Sequence, residues 1–163
     1  MPIQTMTRKA ADNVYLHRDF HNIFNLGLNY LMTHYGAAGV EEYLVEFAHH
    51  FYAPVAEKVS QGGLQAVRDA FTDTYRAEDA LAALSFTEEE NALFVHIAQC
   101  PAVTHMRRSG VTPCPCYSMT SSVVWQTICE STEIGYVLLA YDAETGKAEH
   151  LFFQKSTKGE SLK

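Results

Sequence analysis

No stretch of this 163-residue chain approaches the ~20 consecutive apolar residues of a membrane-spanning helix. The opening run MPIQTMTRKAADN is polar and has no apolar centre of the kind a secretory signal carries. These two absences predict a cytoplasmic protein with no membrane partner. Positive charge is also scarce. Against 19 Asp and Glu stand 12 Lys and Arg, a formal net charge of −7, and the basic runs are as short as Arg8–Lys9 and Arg107–Arg108. That balance gives no electrostatic footprint for nucleic acid. Cysteine occurs four times, which does not suggest a disulfide framework in a chain of this length, and in a cytoplasmic protein all four are expected to be reduced. Internal repeats and low-complexity tracts are lacking as well.

What remains is an ordinary globular composition, 47% hydrophobic and 19% charged. A chain of this size forms one domain and buries roughly 68–70% of the surface exposed when unfolded. Asp12 and Asn13 are cap residues before a helix over 14–35, which Gly36 stops. GVEEYLVEFAHHFYAPVAEKV reads as a second helix bent near Pro54, followed by a break at 61–63 and a shorter third helix, LQAVRDAFTDTYR. ALAALSF and ALFVHIAQC flank the turn TEEEN as a hairpin. CPAVTHMRRSG reads as a short helix with Pro101 at its first position and Gly110 past its end. A loop, VTPCPCY, and a helix, SMTSSVVWQTICES, lead to a second hairpin, IGYVLLAYD and KAEHLFFQ around AETG. Helices first, then strands interrupted by helices, predict a single α+β domain over 13–155: N-terminal helices packed on a mainly antiparallel sheet of two hairpins. A polar segment, 1–12, precedes it and a flexible tail, 156–163, follows.

The run HRDFH places His17 and His21 four residues apart, on one face of the first helix. On a helical wheel of about 100° per residue, His17 falls inside an arc of Leu16, Phe20, Ile23, Phe24, Leu28, Leu31 and Tyr35, and His21 at its border. Asn22, Asn25, Asn29 and Thr33 lie opposite. Both imidazoles are therefore expected to face the interior or a cleft, with Asp19 about 200° away from His17. A zinc-protease motif would need Glu directly after the first histidine, and Arg18 stands there. Two core-edge histidines with ordinary partners are the alternative.

Cys100 precedes Pro101 and so caps a helix, where the dipole lowers a thiol's pKa and favours thiolate. A small buried hydrophobe is the competing reading. His96 would approach the thiol only if its strand runs on that far. His105 follows Cys100 on the same helix, about 140° around it. Cys114, Cys116 and Cys129 match no common zinc or iron–sulfur spacing, and Cys129 is expected to pack near Trp125. His34, His49, His50 and His150 have no partner at diagnostic spacing and read as surface or interface residues.

Taken together, YLHRDFHNIFNLGLNYLMTHYG, FYAPV, CPAVTHM, ICEST and YDAETGKAEH resemble a group of uncharacterised bacterial proteins similar to the L-2-amino-thiazoline-4-carboxylic acid hydrolase-like family, across about residues 14–154. More remotely, the Cys100–Pro101 helix, Gly110, the next helix and the closing hairpin are similar to the four-vinyl-reductase-type small-molecule-binding domain. The resemblance implies an α+β fold and hydrolysis of a small cyclic amino acid or amide. The paired cysteines that many such relatives carry in the last hairpin are absent from KAEHLFFQ.

Three functions compete. The first is a hydrolase of a C–N or C–S bond, with Cys100 and His21 catalytic, or with His17, His21, Cys100 and His105 holding zinc or another divalent transition metal. The second is a non-catalytic small-molecule-binding domain lined by some of the nine Phe and nine Tyr. The third is a metal-cluster protein using Cys100, Cys114, Cys116 and Cys129. Each takes a small molecule or metal rather than nucleic acid or membrane, and homo-oligomerisation is left open.

Overall fold

The structure, a computed structural model, describes residues 13–155, with side chains described from Phe20 onward. The cap expected at Asp12, the segment 1–12, the tail 156–163, and the side chains of His17 and Asp19 lie outside the described residues. Helix α1 (Asn13–Phe51) is followed by α2 (Ala53–Ala77) after one bend residue, Tyr52. Each is two helical segments joined at a glycine of positive φ, Gly36 (φ 69°) in α1 and Gly63 (φ 58°) in α2. At Gly36 the chain turns back on itself. Phe24 and Phe47 would be about 35 Å apart in a straight helix, yet their rings are 5.2 Å apart. The stop expected at Gly36 and the break expected at 61–63 are both found. The bend expected near Pro54 is a full interruption at Tyr52, with Pro54 in the first turn of α2, where its missing N–H costs nothing.

A 3₁₀ turn, Leu81–Ala83, leads into strands β1 (Leu84–Glu89) and β2 (Ala92–Ile97). Helices α3 (Pro101–Arg108) and α4 (Met119–Glu130) follow, then β3 (Ile134–Tyr141) and β4 (Ala148–Gln154). The four strands form one antiparallel sheet in the order β1-β2-β4-β3, the two hairpins meeting along β2 and β4 with Val95 opposite His150. This is an α+β fold with N-terminal helices packed against the sheet.

Alternation decides the core. Leu93, Val95 and Ile97 of β2 and Ala148, His150 and Phe152 of β4 point inward and are buried. Over them Phe71 of α2 stacks on Trp125 of α4 at 4.8 Å, and both rings meet Phe152 edge-on at 5.8 and 5.0 Å. His150, expected at the surface, is in fact 1% exposed. Its Nδ1 lies 3.0 Å from the Tyr136 hydroxyl, and its Nε2 is buried with no partner among the described residues. Burial pushes its pKa down to about 4.

The amphipathic reading of the first helix is corrected. Ile23, placed by the wheel in the inward arc, is 68% exposed, and Phe20 and Tyr35 also face solvent. Asn25, placed opposite them, is buried. Its amide donates to the Thr112 carbonyl at 3.0 Å and accepts from the Cys114 N–H at 2.7 Å. The segment pressed against α1 there is loop backbone, and loop backbone needs polar partners.

Candidate functional site

Helices α1, α2 and α3 and the β3–β4 turn converge at one end of the sheet, through four contributions. The first is Cys100, which leaves β2 and caps α3 in an extended conformation. The turn between β3 and β4 locks it in place: its N–H donates to the Thr145 carbonyl at 3.1 Å, and its own carbonyl accepts from the Thr104 N–H and hydroxyl at 3.0 and 2.8 Å. Gly146 makes this approach feasible. It has φ 67°, and a Cβ there would sit 2.4 Å from the Cys100 Cβ and 2.9 Å from Val103 Cγ2.

The second part is Glu78, the C-cap of α2. The third is α1, whose His21 Nε2 lies 2.9 Å from Glu78 Oε1 with both side chains largely buried. The fourth is α3 again, which brings the His105 ring to 6.3 Å from that of His21. Asn22 Nδ2 lies 3.5 Å from His105 Nε2, and Asn22 Oδ1 is buried without a hydrogen-bond partner among the described residues. Glu78 also lies within electrostatic reach of Cys100, as do Tyr75, Tyr117 and Tyr141.

The electrostatics correct one expectation. The N–H groups of Ala102 and Val103 favour the Cys100 thiolate, as a helix start should, but desolvation by burial is larger and Glu78 adds to it, so the thiol's pKa is raised. Cys100 rests as a neutral thiol rather than a preformed thiolate. Desolvation raises the pKa of Tyr75 and Tyr117 as well, and pushes that of Tyr141 up to about 12. Their hydroxyls stay protonated at neutral pH, which leaves each with a proton to donate.

The structure thus brings His21, His105 and Cys100 to one region, whereas His96 turns away. Its strand ends at Ile97, and on the outer face of the sheet it meets Thr87 at 3.1 Å and Glu149 at 4.0 Å. Glu78 and Gly146 were not singled out in the sequence, Asn22 was placed on the side opposite the histidines, and the tyrosines were expected only as unspecified pocket lining. Glu78 had a signal, since an acid at a helix C-terminus opposes the dipole and calls for a local reason.

Among the described residues, no three His, Cys, Asp or Glu side chains are grouped to hold a metal ion. His17, one of the four expected ligands, has its side chain outside the described residues. The expectation of four reduced cysteines is also corrected: Cys114 and Cys116 are joined as a disulfide, which removes both from any four-cysteine ligand set. Cys129 is buried, and burial pushes its thiol up to about 12. Among the described residues, no helix is long and apolar enough to cross a membrane. No family model, curated protein or solved structure matches this chain.

Proposed function

We propose that this site hydrolyses the C–N or C–S bond of a small cyclic amino acid or amide, the activity implied by the resemblance to the L-2-amino-thiazoline-4-carboxylic acid hydrolase-like family. The observation that carries the proposal is the largely buried His21–Glu78 pair, 2.9 Å long, whose carboxylate also reaches Cys100. Glu78 is the positioning residue: it engages Nε2 and leaves Nδ1 as the basic nitrogen. Cys100 Sγ attacks the substrate carbon and its proton passes to His21. The imidazolium returns that proton to the leaving nitrogen or sulfur as its bond to carbon breaks. Water, deprotonated by the same nitrogen, then releases the acid and restores the thiol. Tyrosine hydroxyls held neutral by burial donate to the oxyanion, and Asn22 Oδ1 accepts from a substrate N–H.

The test is turnover of a panel of thiazolines, lactams and small amides, read as thiol or amine released. Glu78→Gln should lower kcat roughly 10²-fold or more with little change in KM, and Cys100→Ser should abolish turnover. A second reading, a non-catalytic binding domain, is favoured by the neutral resting state of Cys100 and its tyrosines. It is the outcome if a panel member raises the melting temperature and no variant or wild type turns it over.

A further inference from the structure

From Phe20 to Val40 the chain carries no Asp, Glu, Lys or Arg. A surface helix ordinarily sets its charges toward solvent. Here the solvent side is apolar: Ile23 is 68% and Leu26 71% exposed, and Phe20, Tyr30, Tyr43 and Phe51 are exposed as well. Phe24 links the two arms of the α1 hairpin, its ring 5.3 Å from Phe20 and 6.2 Å from Tyr43, and Phe47 continues the run to Phe51 at 5.1 Å. The patch is therefore continuous across both arms.

Its size fits a protein interface. At roughly 200 Å² for a large side chain, the six exposed residues leave about 700 Å² of side-chain surface open. The largest apolar patch of an ordinary monomer is about 300–600 Å², and a stable interface takes about 800 Å² from each partner. The pattern fits one kind of partner. Phe20, Ile23, Gly27, Tyr30 and His34 recur at alternating intervals of three and four, the seam of paired helices. In the middle of that seam, a Cβ built on Gly27 would meet nothing within 4 Å. With no side chain there, two helices can approach closely between Ile23 and Tyr30.

We infer that this face binds a second copy of the chain, α1 against α1 about a twofold axis near Gly27. A twofold contact sets a surface against itself. Two chains of net charge −7 repel each other through most of their surfaces. The first arm of α1 holds no charge between Phe20 and Val40, so two copies approach along it with the least of that penalty, while Glu42 and Glu46 on the second arm border the contact; the same net charge opposes docking on an anionic bilayer. This inference does not rest on the hydrolytic reading.

The experiment is sedimentation equilibrium of the untagged full chain from low to high micromolar concentration, beside Leu26→Glu and Ile23→Glu. Wild type should have the mass of a dimer, and its melting temperature should rise with concentration. Both variants should be monomeric with unchanged circular dichroism, because both positions are exposed. If one variant loses its helical signal, the other carries the test. Wild type monomeric throughout overturns the inference, and so does a dimer that survives both substitutions. A monomer that floats with phosphatidylcholine vesicles, and ceases to do so in Leu26→Glu, assigns the face to a bilayer and overturns it too.

Discussion

His150 should make the protein lose stability in mild acid, and replacing it should remove that loss. Its ring is buried against Phe71 at 5.4 Å and Tyr136 at 5.9 Å, and desolvation alone lowers its pKa from 6.5 to about 4. Between these values the unfolded chain takes up a proton that the folded chain refuses. Stability is therefore complete above pH 6.5 and falls as the pH drops toward 4, by about 3 kcal/mol in all and about 2 kcal/mol by pH 5. Against a typical total of about 5–15 kcal/mol, that is a large share. Urea unfolding at pH 7.5 and pH 5 of wild type and His150→Leu reads the effect as a difference, which cancels the titration of every shared group. Wild type should lose about 2 kcal/mol more than the variant, with unchanged m-values. Equal losses would mean that the imidazole is protonated inside the fold or is reached by water, and the burial argument fails.

Gly146→Ala should cost about 1–3 kcal/mol, because the added methyl collides with Cys100 and Val103 at a backbone angle that disfavours any side chain. The same variant should alkylate faster at Cys100 as the turn is pushed off the start of α3, and a protein of wild-type stability and labelling rate would refute the clamp. Asn25→Ala should cost about 1–3 kcal/mol by leaving the Cys114 N–H buried without its acceptor, and hydrogen exchange at that amide should accelerate. Asn29→Ala loses only a bond to the carbonyl of its own helix and should be nearly neutral, so equal costs at 25 and 29 would count against the pinning role.

The element boundaries were legible because their causes are local. Gly36, Gly63, Pro101 and Gly110 mark points where the backbone changes course, though the interruption at Tyr52 has no such residue of its own, and both hairpins follow from alternation around short turns. The inward side of α1 was not legible. A helical wheel assumes that the apolar arc is the buried one, whereas here Asn25 is needed inside by the backbone of the 111–117 loop, a requirement set nearly ninety residues away. The burial of His150 was within reach, since it shares the inward face of β4 with Phe152, but a histidine's polarity argued for the surface more loudly than its register argued for the core.

Cys100 separates what the sequence carries from what it does not. Its place before Pro101 correctly set the local contribution, the helix-start N–H groups that favour thiolate. The net sign came instead from desolvation and from Glu78, and the packing behind it runs through a turn that closes over the thiol only because Gly146 lacks a side chain. Chemical identity and local field belong to a few adjacent residues. Burial is the joint product of α1, α2, α3 and the β3–β4 turn. In the hydrolysis we propose, the base that this thiol needs on attack is His21, held by Glu78 from across the fold.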